Sequence, residues 1–168
     1  PLEGFAAMFE KMIAHENITV KLCAEAKNLI SVKENKVYYD DKEFQGTVIF
    51  TGPIDEFFDC KYGRLPYRTL HFDFEHFKQD DYQGHAVVNY TVDQEYTRIT
   101  EYKNLTGQKC EGTTISKEYP SAYTGEAGQI PYYSIANEEN HALYEKYKEE
   151  VSQIPNFYLL GRLAEYQY

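Results

Sequence analysis

The chain has 168 residues, of which 42% are hydrophobic and 26% charged, a balance typical of a folded globular protein. Its formal net charge of −10 argues against a general nucleic-acid-binding surface and against anchoring to anionic lipid. No apolar run is long enough to span a bilayer, and the first residues show no signal-peptide pattern, so we expect a cytoplasmic protein without a membrane partner.

Arginine and cysteine are both scarce. Arginine occurs only at positions 64, 68, 98 and 162, so each one is a candidate for bidentate phosphate recognition, the alternative being a surface ion pair. Cys23, Cys60 and Cys110 are widely spaced and match no zinc-ligand pattern, which fits free thiols in a reducing cytosol and predicts no metal site. The 17 tyrosines suit contacts with sugars and bases, or simply an aromatic-rich sheet.

The first third of the chain predicts a helix followed by short strands. Apolar side chains recur at spacings of three and four over residues 2–15, which indicates an amphipathic helix. Residues 18–23 alternate as a strand does. Residues 30–32 and 36–39 predict a hairpin that turns at 33–35.

Residues 46–52 (GTVIFTG) form a continuous apolar run, which is typical of a central parallel strand covered on both faces. Ligands of open α/β sheets bind beyond the carboxyl ends of such strands. Thr51, Gly52 and Pro53 are therefore candidate cofactor contacts.

The middle of the chain predicts an antiparallel sheet. Strand patterns occur at residues 67–77, 85–91, 96–102 and 113–119, joined by turns rich in Asp, Gly and Asn, with no helix signal between them. Residues 120–129 predict a loop.

The last third predicts a helix and one more strand. Residues 137–151 carry Leu143, Tyr147 and Val151 on one face, and Asn137 is a suitable N-cap. Residues 156–160 form a short apolar strand, and the Gly161-Arg162 turn after it mirrors the Thr-Gly turn after residues 46–50.

These elements predict a mixed fold, of the α+β or α/β class, in which a sheet domain with helices is interrupted by an antiparallel lobe. That plan is familiar from two-domain flavoenzymes. No GxGxxG motif followed by a helix is present, so we expect the segment that binds the cofactor pyrophosphate to lie upstream of Pro1.

Seven motifs follow one another along the chain: FTGPIDEFFD (50–59), YGRLPYRTL (62–70), YQGHAVVNYT (82–91), YTRITE (96–101), TISKEYP (114–120), PYY (131–133) and GRLAEYQY (161–168). In their order and approximate spacing they closely resemble the UDP-galactopyranose mutase family. The resemblance covers essentially the whole chain and corresponds to the middle and later portion of the family.

The resemblance implies interconversion of UDP-galactopyranose and UDP-galactofuranose with reduced FAD, through a flavin N5–sugar adduct and without net redox. It also implies a partial FAD-binding domain at residues 1–53, a substrate lobe at 54–128 and a return to the FAD-binding domain at 129–168. A homodimer is compatible with the full-length protein. The 168-residue chain alone is expected to be inactive and not to retain FAD.

The resemblance assigns roles to individual residues. Arg98, Tyr133 and Tyr168 correspond to residues that hold the substrate diphosphate. Arg162 corresponds to an arginine near both flavin and substrate, and residues 51–53 to a flavin-contacting turn.

Other readings of the same residues stay open. Arg98 could pair with Glu95 or Glu101 on a strand, and the two tyrosines could be half-buried sheet aromatics. The whole chain could be a non-catalytic sugar-nucleotide-binding domain or part of an amine-oxidase-type flavin oxidoreductase.

Overall fold

A computed structural model of the protein describes residues 4–168 and shows a mixed α and β fold. Its helices α1–α5 span Gly4–Ile13, Ala26–Leu29, Ile54–Phe57, Tyr102–Thr106 and Glu138–Ser152. Its strands β1–β10 span Ile30–Lys33, Lys36–Tyr39, Lys42–Glu43, Val48–Phe50, Tyr67–Phe77, Val87–Asn89, Arg98–Glu101, Thr113–Ala122, Tyr133–Ser134 and Phe157–Leu159. Among the described residues, no helix combines the length and apolarity needed to cross a bilayer.

The chain divides into two compact units. The first comprises the residues up to Leu22 together with Leu70–Pro120, and the second comprises Cys23–Thr69 and Ser121–Tyr168. The first unit thus contains α1 and resumes at Leu70, within β5.

Helix α1 confirms the predicted helix within the described residues, while residues 2 and 3 of that prediction lie outside them. Phe5, Phe9, Met12 and Ile13 remain exposed, and none of the residues of α1 is buried. The strand predicted for residues 18–23 is wrong: these residues form bends and irregular backbone. Ile18, Val20 and Leu22 alternate in sequence but stay exposed, so the alternation reflects no buried face.

The first unit contains the predicted antiparallel sheet. β6, β7 and β8 are antiparallel neighbours, and β5 lies beside β8. β5 has the predicted bounds, β6 and β7 are shorter than predicted, and β8 continues to Ala122, into the predicted loop. The expectation of no helix between these strands is wrong, because α4 follows β7 directly and ends at Gly107, which has a φ of 70°.

Glu101, at the end of β7, is a fully buried carboxylate that organises one side of the first unit. It accepts hydrogen bonds from the backbone N–H groups of Tyr82 (2.9 Å) and Gln83 (3.1 Å), and from the Thr113 hydroxyl (2.7 Å). A buried carboxylate is stable only with such donors, so this residue ties the loop before β6 to the sheet.

In the second unit, the predicted hairpin is confirmed as β1 and β2. Glu34 and Asn35 have positive φ values of 52° and 58°, as a two-residue hairpin turn requires. β3 adds a third antiparallel strand beyond β2.

β4 pairs in parallel with β10, which confirms the predicted parallel strand. The expectation that β4 is covered on both faces is wrong for the described residues. Ile49 and its partner Tyr158 are 59% and 57% exposed, while Phe50 and Phe157 on the other face are buried. The buried face packs on Phe57, whose ring centroid lies 4.8 Å from that of Phe50 and 5.3 Å from that of Phe157.

Helix α5 confirms the predicted helix and its N-cap. The Asn137 side chain accepts a hydrogen bond from the Asn140 backbone N–H at 2.8 Å. Tyr147 and Val151 are buried in the core of the unit and Leu143 packs against it, as their spacing predicts.

We expect Asn137→Ala to lower the free energy of unfolding by about 1 kcal/mol, because one N–H group of the first turn loses its acceptor. Urea denaturation measures the change. Asn137→Asp keeps an acceptor at this position and is the matched control, expected to unfold close to wild type. Equal stability of wild type and Asn137→Ala would contradict the assigned cap.

Candidate functional site

The turns that follow β4 and β10 leave the same edge of the parallel pair. The backbone N–H of Leu160 donates to the Phe50 carbonyl at 3.0 Å, which extends the pairing to the point where both strands end. Thr51 and Gly161 therefore begin neighbouring turns at the carboxyl ends of adjacent strands, the position at which α/β sheets bind ligands.

Three of the predicted site residues come together beside this edge. The rings of Tyr133 and Tyr168 stack with centroids 6.3 Å apart and planes 26° apart. The Arg162 guanidinium carbon lies 5.6 Å from the Tyr133 centroid and 5.9 Å from the Tyr168 centroid. These distances are within the range of cation–π attraction.

This cluster of Arg162, Tyr133 and Tyr168 is accessible to a ligand. Tyr168 is 79% exposed, Arg162 is exposed and Tyr133 is half-buried. Exposed groups of this kind present one guanidinium and two phenol hydroxyls, which are hydrogen-bond donors suited to phosphate oxygens.

The backbone around the cluster is fixed by a strand pairing and by a local hydrogen bond. β9, which carries Tyr133, pairs with the first residues of β5, so that Tyr133 lies opposite Arg68. Gly161 has a φ of 88° and donates its N–H to the Glu165 carboxylate at 2.9 Å. That left-handed backbone favours glycine, which explains why the arginine follows a glycine here.

A second feature of the unit is a cavity of about 770 Å³ that contains the predicted turn Thr51-Gly52-Pro53. Ile30, Phe50 and Phe57 contribute apolar surface to its lining. Two ion pairs also border it, between Arg64 Nη1 and Glu56 Oε1 at 3.1 Å and between Lys27 Nζ and Asp59 Oδ1 at 2.5 Å. The cavity thus combines an apolar wall with polar groups, as small-molecule sites do.

The cavity also contains a cluster of Glu56, Arg64 and Tyr123, which the sequence did not predict. The Tyr123 hydroxyl donates to the same Glu56 oxygen at 2.5 Å, and the Arg64 guanidinium lies over the Tyr123 ring at 5.8 Å. Burial and the Glu56 bond raise the pKa of Tyr123 to about 12, so the phenol stays a donor at neutral pH. The scarcity of arginine was the signal that singled out Arg64, but Tyr123 lies 67 positions after Glu56 and no local pattern links the two.

Arg98 lies in the first unit, at a row of three paired strand residues. Its Cα partners are Asn89 on β6 and Glu118 on β8. Its Nε donates to Asn89 Oδ1 at 3.0 Å, and its Nη1 lies 3.6 Å from Glu118 Oε2. The ion pair of Arg98 is therefore with Glu118. Glu101, one of the two partners expected from the sequence, is buried and accepts hydrogen bonds from other donors.

Asp55 is a buried carboxyl, 1% exposed, in the first turn of α3 directly after Pro53. Its Oδ2 accepts a hydrogen bond from the Leu65 backbone N–H at 2.9 Å, which fixes the loop that carries Arg64. Burial raises the pKa of this carboxyl, because the charged form loses its hydration.

We expect Asp55→Asn to gain stability relative to wild type as the pH rises from 4 to 7. The folded-state pKa of Asp55 exceeds its unfolded value of about 3.9, so its stabilising contribution is complete below that value and is lost as the pH rises through the folded pKa. Asparagine keeps an acceptor for Leu65 and does not titrate. Urea unfolding at several pH values measures the difference, and a constant difference across this range would contradict the assignment.

The family model described as UDP-galactopyranose mutase matches residues 1–168, and the chain belongs to that family.

Named relatives match the chain from end to end. It is 37% identical over 172 residues to the UDP-galactopyranose mutase of Mycoplasma pneumoniae and 40% identical over 171 residues to a probable UDP-galactopyranose mutase of Klebsiella pneumoniae. It is also 34% identical over 170 residues to a dTDP-fucopyranose mutase of Escherichia coli. Each match covers 100% of this chain and 43%, 41% and 43% of the respective relative, so the chain spans about two fifths of their length.

Proposed function

We propose that this chain is part of a flavin-dependent UDP-galactopyranose mutase, which interconverts UDP-galactopyranose and UDP-galactofuranose without net redox. The observation that carries the proposal is the cluster of Arg162, Tyr133 and Tyr168 beside the carboxyl ends of a parallel strand pair, in a chain of this family. A cytoplasmic location and a homodimer of the full-length protein belong to the same proposal.

The chain's own residues would act mainly on the diphosphate. When the bond between the sugar and UDP breaks, negative charge grows on the departing diphosphate, and fixed donors that face it lower the barrier. Arg162 would supply the positive charge, while the hydroxyls of Tyr133 and Tyr168 would donate hydrogen bonds without adding further charge. Arg98 belongs to the first unit and is proposed from its YTRITE motif: Asn89 holds its Nε, and its terminal nitrogens would be the ones to bind a diphosphate.

The residues around the large cavity fit part of the cofactor. Its apolar wall would pack on a flat ring. Gly52 lets the Phe50 ring of that wall pack against the turn, because a Cβ at this position would meet the ring at 2.9 Å. Thr51, Gly52 and Pro53 would make these contacts, and Arg162 would lie near both cofactor and substrate. Reduced FAD, when bound, supplies the nucleophile.

The proposal also assigns regions of the chain. Residues 1–53 and 129–168 would belong to the FAD-binding domain, and residues 54–128 would form the substrate lobe. Because both β4 and β10 fall in the regions assigned to FAD, the parallel pair supports joining these two stretches into one domain.

The relative named dTDP-fucopyranose mutase makes a second nucleotide sugar a candidate substrate. UDP-sugars and dTDP-sugars share a diphosphate, so Arg162 and the two tyrosines would serve either one. The base and the sugar must therefore be distinguished by assay.

The test incubates the full-length protein and reduced FAD with UDP-galactofuranose or dTDP-fucopyranose, and separates products by chromatography. Isomerised product without consumption of an electron acceptor supports the mutase. Strict dependence on an acceptor would favour an oxidoreductase, and nucleotide binding without turnover would favour a binding module. The 168-residue chain alone is expected to show no turnover.

We expect Arg98→Ala in the full-length protein to raise the barrier by about 2–4 kcal/mol, the scale for losing one charge-stabilising donor. Steady-state kinetics measure kcat/KM. The control is Lys117→Ala, which also removes a cation. Lys117 precedes Glu118 on β8, lies opposite Ile99 and forms an ion pair with Glu75. An Arg98→Ala enzyme as active as this control would remove Arg98 from the site.

A further inference from the structure

Tyr166 lies two residues before Tyr168 in the chain and is 0% exposed, in the core of the second unit. Its ring packs edge-on to Tyr67, with centroids 5.3 Å apart, and stacks on Tyr144 at 6.0 Å. Burial raises the pKa of Tyr166 to about 12, so its hydroxyl keeps its proton at neutral pH. The side chain is therefore a fixed donor inside the core of the second unit.

The Tyr166 hydroxyl connects two other segments of the chain. It lies 2.6 Å from the Pro66 carbonyl, just before β5, and 3.1 Å from the Ile135 carbonyl, just after β9. The hydroxyl has one proton to donate, so the two carbonyls share it. The Ile135 carbonyl also accepts from the Asn140 side chain at 2.6 Å, and the Ile135 N–H donates to the Pro66 carbonyl at 3.1 Å.

The backbone at Tyr166 is unusual for an aromatic residue. Its φ is 53°, in the left-handed region, which costs energy for a bulky side chain. Such a conformation persists only where its surroundings hold it, and here the buried ring and the two carbonyls do so. It changes the chain direction two residues before Tyr168, whose ring reaches Tyr133.

We infer that Tyr166 is the positioning residue of the diphosphate site. It fixes the backbone on both sides of the ring pair, since Ile135 is two residues after Tyr133 and Tyr166 is two residues before Tyr168. Exposed rings lose ligand affinity when they must be ordered at the moment of binding, and a rigid backbone removes part of that cost. This inference rests on the proposed function, because the diphosphate is the ligand of that site.

Tyr147 provides a matched control within the same unit. It is also 0% exposed, and its hydroxyl donates to the Gly63 carbonyl at 2.6 Å and accepts from the Tyr62 N–H at 3.1 Å. Its partners belong to the loop before β5 and to neither segment of the ring pair. Tyr147→Phe thus reports the effect of losing a buried hydroxyl without disturbing the proposed site.

The experiment measures UDP binding to the full-length protein by calorimetry, together with KM and kcat for UDP-galactofuranose. Tyr166→Phe keeps the ring and removes the hydroxyl. We expect its Kd for UDP to rise about five- to tenfold, the scale of one lost hydrogen bond, with KM rising more than kcat falls. Tyr147→Phe is expected to bind UDP as wild type does. Equal Kd values for the two variants would overturn the inference.

Two further variants separate the possible failures. Arg162→Ala tests the proposed site itself: if it leaves UDP binding unchanged, the proposed function fails at this cluster. If Arg162→Ala weakens binding while Tyr166→Phe does not, only the positioning role fails. Should Tyr166→Phe not fold, Asn140→Ala removes the other side-chain donor to the Ile135 carbonyl, and unchanged UDP affinity in that variant would overturn positioning through the Ile135 backbone.

Discussion

The pairing of β4 with β10 is the constraint on which the second unit depends. It joins Val48–Phe50 to Phe157–Leu159, strands more than a hundred residues apart in the chain, and so brings the two turns that follow these strands to one edge. A parallel pair this short has little stability of its own, because strands of three residues form few ladder bonds. The aromatic packing of Phe50, Phe57 and Phe157 on its buried face supplies what the ladder lacks.

Charge compensation explains how an acidic chain can present a cation to an anionic ligand. Arg64 and Arg98 each lie close to a carboxylate, Glu56 and Glu118 respectively. Arg162 instead lies over two phenol rings and, within the part of the chain that the structure describes, forms no ion pair. Aromatic faces hold a guanidinium without neutralising it, so its charge remains available to a ligand.

Local signals made much of the fold predictable. Asn137 and the Glu34-Asn35 turn act through their nearest neighbours, so their residue types were sufficient. The prediction of a strand at residues 18–23 was wrong, because alternation alone does not supply a partner strand. Tyr166 and the Glu56–Tyr123 pair could not be found from sequence, because their hydrogen bonds join residues 31 to 100 positions apart.

A reversible reaction limits how tightly the diphosphate can be held. In the proposed isomerisation UDP leaves the sugar and then rejoins it, so the site must stabilise the separated anion without trapping it. Neutral phenols suit that requirement: each donates one hydrogen bond and adds no net attraction for the anion beyond it. Because each of these hydrogen bonds is weak, binding of the diphosphate depends on how accurately the phenols are placed. A buried tyrosine such as Tyr166 places them without offering the ligand a further charge.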